Sequence, residues 1–353
     1  MFEIPQNPGF IPRGPDSRDV PYRAANNLGA ISVDWNKRTN IRRDFKPRVN
    51  DQGQSSSCVG QGWSQLEAIR NRIKTGQWLD ISARDVYSWI YEANGGAYAY
   101  KGGSSLVNRG VAPEYLVRSY QAEYPPSEEF MRIREFDPVA RNAALTHKIL
   151  GYTVINPEID DMAHAIENNG AIVLGVIGSN EGWQTGNVRP PLPGEKVWGH
   201  FFISEDKFIK NSKRTLECLN SWSKYWGDEG YFYLNEDYFA SGYVYSGYNI
   251  QGISSDWLNR TRMKDLIILE GTQDQYVCES GRKLKIPDIE TRDFLRDVIK
   301  IITGEPRVVK QAEFDSFQTD KPMPSVKADQ FVRDAYTFYK DKLPLFKDIV
   351  DAQ

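Results

Sequence analysis

One cysteine, Cys58, lies where its thiol can act as a nucleophile. The polar, turn-rich stretch 52–57 precedes it and predicts a loop. Apolar residues then recur every three or four positions, which predicts a helix with one buried face: Val59, Trp63, Leu66, Ile69 and Ile73. Because the amino end of a helix favours negative charge, the position predicts a thiol biased toward thiolate. The alternative is that Cys58 is a small buried hydrophobe.

A nucleophilic thiol needs an oxyanion donor and a general base. Gln52 lies six residues before Cys58, where its amide can fold back and donate a hydrogen bond to a developing oxyanion. Of the three histidines, His147 lies in a polar stretch and His164 in a predicted surface helix. His200 instead precedes the apolar run 201–203, which is typical of a strand that holds an imidazole rigidly. His200 is therefore the candidate base.

Asn220 is the candidate orienting residue for this base. It ends a short apolar strand and is followed by two tryptophans, Trp222 and Trp226, that can cover it. An amide oxygen at this place can accept a hydrogen bond from an imidazole N–H and fix the ring without adding a charge.

These residues together resemble the papain-like cysteine peptidases. The resemblance is carried by Gln52, Ser57-Cys58, Gly199-His200 and the closing segment 220–231, which reads NSW, then WG, then GY. His200 and Asn220 follow Cys58 by 142 and 162 residues, against roughly 130 to 150 in the family. The closing segment is the most specific signal.

The resemblance implies an α+β, two-lobed fold with a cleft between the lobes. One lobe is helical and carries Cys58, and the other is strand-rich, barrel-like and carries His200 and Asn220. The implied mechanism is attack of a thiolate, paired with imidazolium, on a peptide carbonyl. Gln52 stabilises the oxyanion in that mechanism.

The family also has a Gly-Gly segment that lines the substrate cleft, and Gly102-Gly103 is the better match to it here. An ordinary loop is the alternative interpretation of that stretch. Trp222 is a further candidate for substrate binding. No cofactor or metal is implied, and the implied partner is a peptide or protein substrate.

Two departures from the family pattern concern the amino-terminal part of the chain. Ser55 stands where the secreted enzymes have a disulfide cysteine. Residues 1–32 form a leader rich in proline and glycine, and residues 10–19 resemble the short leader of bacterial and viral members. We expect the leader to lie extended over the surface, a disordered tail being the alternative. It is too short to resemble the inhibitory propeptide, so control by its removal is not indicated.

Composition excludes several classes of function. The 353 residues carry a net charge of −3 with basic and acidic residues interspersed, so nothing indicates binding to nucleic acid or an anionic membrane. No apolar run approaches the ~20 residues needed to span a bilayer. The amino terminus does not resemble a secretory signal, and three distant cysteines do not form a disulfide framework. We expect a reducing setting, either cytoplasmic or virion-associated.

The periodicity predicts further elements around the site. A helix over residues 80–91 has Ser82 as its cap. A strand is expected over residues 148–154, then a helix over 159–168, and then a buried strand over 171–176.

Three regions are predicted: the leader 1–32, a peptidase domain 33–253, and a small α/β appendage 254–353. In the appendage, strands 265–270 and 275–278 precede a helix over 289–302. The appendage weakly resembles hairpin modules of surface and phage-associated proteins, and a packing role is the alternative.

A final predicted helix, 327–342, has an apolar stripe on one face. Such a stripe can dock a protein partner or a second copy of the chain. Two functions therefore remain open: a thiol endopeptidase, or a virion or surface assembly protein that uses the fold as a scaffold.

Overall fold

The computed structural model describes residues 4–14, 16–26, 29, 31–76, 78–120, 126–252, 265–270, 272, 274–279, 282–285, 307–309 and 318–319. The chain divides into two compact units, residues 1–254 and 255–353.

The first unit contains nine described helices and eight described strands. The helices are α1 (Tyr22–Ala25), α2 (Ile41–Phe45), α3 (Cys58–Thr75), α4 (Ala83–Ile90), α5 (Ala99–Asn108), α6 (Glu128–Met131), α7 (Pro138–Thr146), α8 (Ile159–Asn169) and α9 (Glu236–Ala240). The strands are β1 (Phe10–Ile11), β2 (Ala97–Tyr98), β3 (Tyr152–Ile155), β4 (Ile172–Ser179), β5 (Val197–Lys210), β6 (Lys213–Leu219), β7 (Tyr231–Asn235) and β8 (Val244–Ile250).

Helix α3 is the central element of the helical lobe, and the prediction that a helix begins at Cys58 is confirmed. Trp63, Leu66 and Ile69 are fully buried, as the spacing of the apolar residues requires. Ile73 is the exception at 41% exposure, because it lies in the last turn, where the helix reaches the surface. Gly76 ends the helix in a left-handed conformation.

The strand-rich lobe is an antiparallel sheet of six strands in the order β3-β8-β4-β5-β6-β7. Its outer strands do not pair with each other, so the sheet is open rather than a closed barrel. Strand β5 is its longest described strand and pairs with β4 and β6. Neighbouring residues of a strand point to opposite faces, so Phe201 packs with α3 and Phe202 joins the core of the other face. This explains the adjacent phenylalanines after His200.

Most predicted elements of this unit are present with small shifts of their ends. Ser82 caps α4 by accepting a hydrogen bond from the Asp85 N–H at 2.9 Å. Helix α8 ends at Gly170, whose φ is +85°. Strand β3 begins at Tyr152, later than predicted. The lobes together give the two-lobed α+β arrangement that the sequence predicts.

The second unit contains five described strands: β9 (Asp265–Leu269), β10 (Gln275–Glu279), β11 (Arg282–Lys285), β12 (Arg307–Val309) and β13 (Gln318–Thr319). They form one sheet in the order β12-β9-β10-β11-β13. The predicted strands over 265–270 and 275–278 correspond to β9 and β10, which pair antiparallel. The predicted helices over 289–302 and 327–342 lie outside the described residues.

Within the described part of the chain, none of the helices has the length and apolar character needed to cross a membrane.

Candidate active site

Cys58 is the first residue of α3, as the sequence predicts. Its thiol is fully buried and lies beside the backbone N–H of Phe201, the residue that follows His200. The fold therefore brings the sulfur to the strand that carries the candidate base. The backbone N–H of Cys58 is a donor at the helix start, where no intrahelical acceptor exists.

Gln52 is fully buried beside Cys58, with its side-chain amide held in one orientation. Its backbone N–H donates to the carbonyl of Ser221 at 2.8 Å, and the Ser221 hydroxyl donates to Gln52 Oε1 at 2.8 Å. Because the oxygen is engaged there, the amide nitrogen Nε2 points toward the helix start, where it donates to Ser55 O at 2.7 Å. Nε2 and the Cys58 N–H together form a pair of donors.

His200 and Asn220 form the hydrogen bond that the sequence predicts. His200 Nε2 lies 2.7 Å from Asn220 Oδ1, and the Ser221 N–H also donates to this oxygen at 2.8 Å. Since Oδ1 accepts both bonds, Nε2 carries the proton and Nδ1 carries the lone pair. Nδ1 is buried and has no hydrogen-bond partner among the described residues. A lone pair of this kind can take a proton from a thiol.

Two tryptophans enclose the imidazole. Trp222 stacks on it with ring centroids 4.6 Å apart, and Trp183 meets it edge-on at 5.7 Å. Both are fully buried. Trp222 thus orients the base and keeps water from the His200–Asn220 bond, and its predicted contact with substrate stays a prediction. No sequence pattern indicated that Trp183 contacts the base, because this residue lies in a short 3-10 turn within a loop.

The architecture has known counterparts. Xylellain, a cysteine protease from Xylella fastidiosa, aligns over 70% of this chain and 96% of its own with a TM-score of 0.55 and 21% identity. The chain has the papain-like cysteine protease fold. The procathepsin B from Trypanosoma congolense aligns over 67% of this chain and 84% of its own, with a TM-score of 0.52 and 15% identity. No protein-family model and no curated protein matches the sequence.

A second cathepsin structure has the same papain-like fold. Procathepsin L 3 from the larval midgut of Tenebrio molitor aligns over 66% of this chain and 73% of its own, with a TM-score of 0.50 and 18% identity.

The leader occupies the cleft of this papain-like fold. The carbonyl oxygen of Pro8 accepts hydrogen bonds from the Cys58 N–H at 3.2 Å and from Gln52 Nε2 at 2.9 Å. Just beyond it, the Ala97 N–H donates to the Gly9 carbonyl at 2.7 Å, and β1 pairs parallel with β2. The sequence did not indicate control by removal of this leader, whereas in the structure the leader covers the nucleophile.

Phe10 of the leader fills an apolar pocket next to the site and is 6% exposed. Its ring stacks on Phe201 at 5.8 Å and meets Tyr245 edge-on at 6.0 Å. Gly175 forms the end of the pocket, where a Cβ would overlap the tip of the ring. In the leader, the side chain that fills this pocket therefore lies two residues after the carbonyl on the donor pair.

The prediction that Gly102-Gly103 lines the cleft is wrong. Both glycines lie inside helix α5, where Cβ atoms would overlap the rings of Trp63 and Tyr152. They permit close helix packing instead. The glycines at the cleft are Gly95 and Gly96, which both have positive φ, and a Cβ on Gly96 would overlap the Gly9 carbonyl. The nearby sequence NGG at 94–96 is typical of a turn and could have identified these glycines.

Burial sets the charge state of the covered site. Loss of solvent raises the pKa of the Cys58 thiol well above its usual range, although nearby backbone N–H groups oppose this. Loss of solvent also lowers the pKa of His200 to about 3, against the opposing effect of its bond to Asn220. With the leader in place the site therefore holds a neutral thiol and a neutral imidazole, in contrast to the ion pair that the resemblance implies.

Among the described residues, no group of three or more His, Cys, Asp or Glu side chains is arranged to hold a metal ion.

Proposed function

We propose that the chain is a cysteine endopeptidase in which Cys58 attacks a peptide carbonyl and His200 transfers the protons. One observation carries the proposal: a peptide carbonyl, that of Pro8, already lies on the donor pair formed by the Cys58 N–H and Gln52 Nε2. A pair of donors that holds a carbonyl oxygen at the start of the helix bearing the thiol is the arrangement that stabilises an oxyanion.

The reaction begins when a substrate carbonyl replaces that of Pro8. His200 Nδ1 accepts the thiol proton, and the Cys58 sulfur forms a bond to the carbonyl carbon, placing negative charge on its oxygen. The Cys58 N–H and Gln52 Nε2 stabilise this charge. The intermediate collapses as the carbon–nitrogen bond breaks and His200 protonates the leaving amine. A water molecule then releases the acyl group, giving up a proton to His200 and returning the thiol.

Asn220 and Trp222 support this step without contacting the reacting atoms. The bond from His200 Nε2 to Asn220 Oδ1 keeps the lone pair on Nδ1, and it strengthens when the ring becomes charged. Stacking by Trp222 limits rotation of the ring. The leader must leave before a substrate enters, since Cys58 and His200 are both fully buried under it. Water then reaches the site and the ion pair can form.

The test is hydrolysis of a fluorogenic peptide library by a full-length Gly9→Ala chain and by the same chain with Cys58→Ala, with labelling by an epoxide peptide inhibitor followed by intact mass. Gly9→Ala is used because a Cβ at Gly9 would overlap the Ser56 carbonyl, which should keep the leader from covering the thiol. We expect one adduct on the Gly9→Ala chain and none after Cys58→Ala. Cys218→Ala in the Gly9→Ala chain is the matched control, because Cys218 is a buried free cysteine in the other hydrophobic core. Equal hydrolysis with and without Cys58→Ala rules out the proposal.

The assembly or attachment role is the alternative proposal. No specific feature of the described residues favours it over the peptidase, which is supported by the bond between His200 and Asn220 and by the bonds of the Cys58 N–H and Gln52 to the Pro8 carbonyl. A chain that binds no epoxide after its leader is displaced would favour this role.

A further inference from the structure

Glu128 lies outside the catalytic set but bonds to the loop that carries the nucleophile. Its Oε2 accepts a hydrogen bond from the Ser56 N–H at 2.7 Å, two residues before Cys58. Glu128 is the first residue of α6, and the side chain of Ser127 caps that short helix.

The second carboxylate oxygen of Glu128 bonds to helix α4 and to the end of its own helix. Oε1 accepts from the Tyr87 hydroxyl at 2.7 Å and from Arg132 Nε at 2.7 Å. The Tyr87 oxygen in turn accepts from the Gly96 N–H at 3.0 Å. Gly96 adjoins Ala97, whose N–H bonds the backbone of the leader. One carboxylate thus holds the nucleophile loop and, through one tyrosine, the backbone edge that pairs with a bound peptide.

We infer that Glu128 is a positioning residue that fixes the distance between the oxyanion donor at Cys58 and the peptide-pairing edge at Gly96-Ala97. Hydrogen bonds to a charged acceptor are stronger than those between neutral groups. The bonds of Glu128 to the Ser56 N–H and to the Tyr87 hydroxyl, here called the Ser56 arm and the Tyr87 arm, are each 2.7 Å long. The inference rests on the proposed peptidase function. It assigns separate effects to the two arms: the Tyr87 arm governs peptide binding, and the Ser56 arm governs the placement of the Cys58 N–H.

Substitutions can separate the two arms. Tyr87→Phe keeps the aromatic packing and cuts only the arm to Gly96. Glu128→Ala cuts both. Glu128→Gln keeps an oxygen for the Tyr87 and Arg132 donors, and its amide nitrogen then faces the Ser56 N–H, where it cannot accept. Glu129→Ala is the matched control, because Glu129 is the exposed neighbour on the same helix.

Turnover is measured in a Gly9→Ala parent chain, in which the leader should not seat because a Cβ at Gly9 would overlap the Ser56 carbonyl. We expect Tyr87→Phe to raise KM about fivefold with kcat unchanged, and Glu128→Gln to lower kcat about fivefold with KM unchanged. Glu128→Ala should show both effects, and Glu129→Ala neither. A general loss of structure would not separate kcat from KM in this way. Parallel changes in both constants for Tyr87→Phe and Glu128→Gln, or none, overturn the inference.

A second measurement does not depend on peptidase activity. In the chain with its natural leader, a less rigid Gly96-Ala97 edge should weaken the hydrogen bond from the Ala97 N–H to the leader. Alkylation of Cys58 by iodoacetamide should then be about fivefold faster in Tyr87→Phe and Glu128→Ala than in wild type. If the parent hydrolyses no peptide but these rates rise, the peptidase proposal fails and the positioning role stands. Unchanged alkylation rates overturn the positioning role.

Discussion

The hydroxyl of Ser221 donates to Gln52 Oε1 across the interface between the two lobes. Gln52 belongs to the loop before α3, and Ser221 follows Asn220 at the end of β6. The backbone N–H of Gln52 donates to the Ser221 carbonyl as well. The same short segment therefore orients both the imidazole, through Asn220, and the oxyanion donor, through Ser221.

Gln52→Ala should lower kcat by about 10² to 10³, because it removes an oxyanion donor that acts mainly in the transition state. Ser221→Ala should lower kcat only about fivefold, since the amide remains but can rotate. Initial-rate kinetics on the Gly9→Ala parent, called the leader-displaced chain, check both values, with Ser223→Ala as the control. A Ser221→Ala chain as impaired as Gln52→Ala would show that Ser221 does more than orient the amide.

Gly9→Ala should expel the leader. Gly9 has a φ of +110°, and a Cβ there would overlap the Ser56 carbonyl, which is backbone and cannot move aside cheaply. We expect Cys58 to react with iodoacetamide at least tenfold faster than in wild type, as measured by intact mass over time. Gly14→Ala is the matched control, because a Cβ at Gly14 meets no atom within 4 Å. If both variants react at the wild-type rate, the leader is not what protects the thiol.

Gly175→Ala should narrow the pocket that Phe10 occupies. A Cβ at this position overlaps the end of the phenylalanine ring and leaves room for a shorter side chain. In the leader-displaced chain we expect the ratio of kcat/KM for peptides with phenylalanine over those with valine in the pocket to fall about 10-fold or more. This ratio is measured with a series of peptides that carry phenylalanine or valine at each position in turn. An unchanged ratio would place the substrate side chain elsewhere.

Glu67 should make the stability of the first unit depend on pH. Its carboxylate is fully buried in α3 without a hydrogen bond from any described residue, and this burial raises its pKa to about 8 from 4.5. Between these values the folded chain holds a proton that the unfolded chain has released. The contribution of protonated Glu67 to the free energy of unfolding is therefore fully present below pH 4.5, and it is lost as the pH rises through about 8.

Glu67→Gln is neutral at every pH and should not show this loss. The free energy of unfolding of wild type relative to the variant should fall by about 1.4 kcal/mol per pH unit between pH 5 and 8. Urea unfolding followed by tryptophan fluorescence measures it, with the exposed Glu129→Gln as control. Parallel pH profiles for wild type and Glu67→Gln would contradict the buried, protonated state.

The sequence determined the local elements and the chemical types at the site. Cys58 at a helix start and His200 at the head of an apolar strand could be predicted because helix and strand periodicities act over short distances. The role of Asn220 as the orienting residue could be predicted from the closing segment 220–231. The choice of Gly102-Gly103 failed because a glycine pair has the same local pattern in a tightly packed helix as in a cleft, and only the contacts of Trp63 and Tyr152 separate the two.

The tertiary structure alone decided what touches what across long separations in the chain. The leader gave no sign in its composition that the Pro8 carbonyl would lie on the oxyanion donors, since that contact joins residues about fifty positions apart. Glu128 lies in a stretch without periodicity, and its link to Ser56 and Tyr87 depends on the packing of three separate segments. Burial also opposes the thiolate–imidazolium pair that the sequence implies, because desolvation disfavours both charged forms and acts only once the fold has closed.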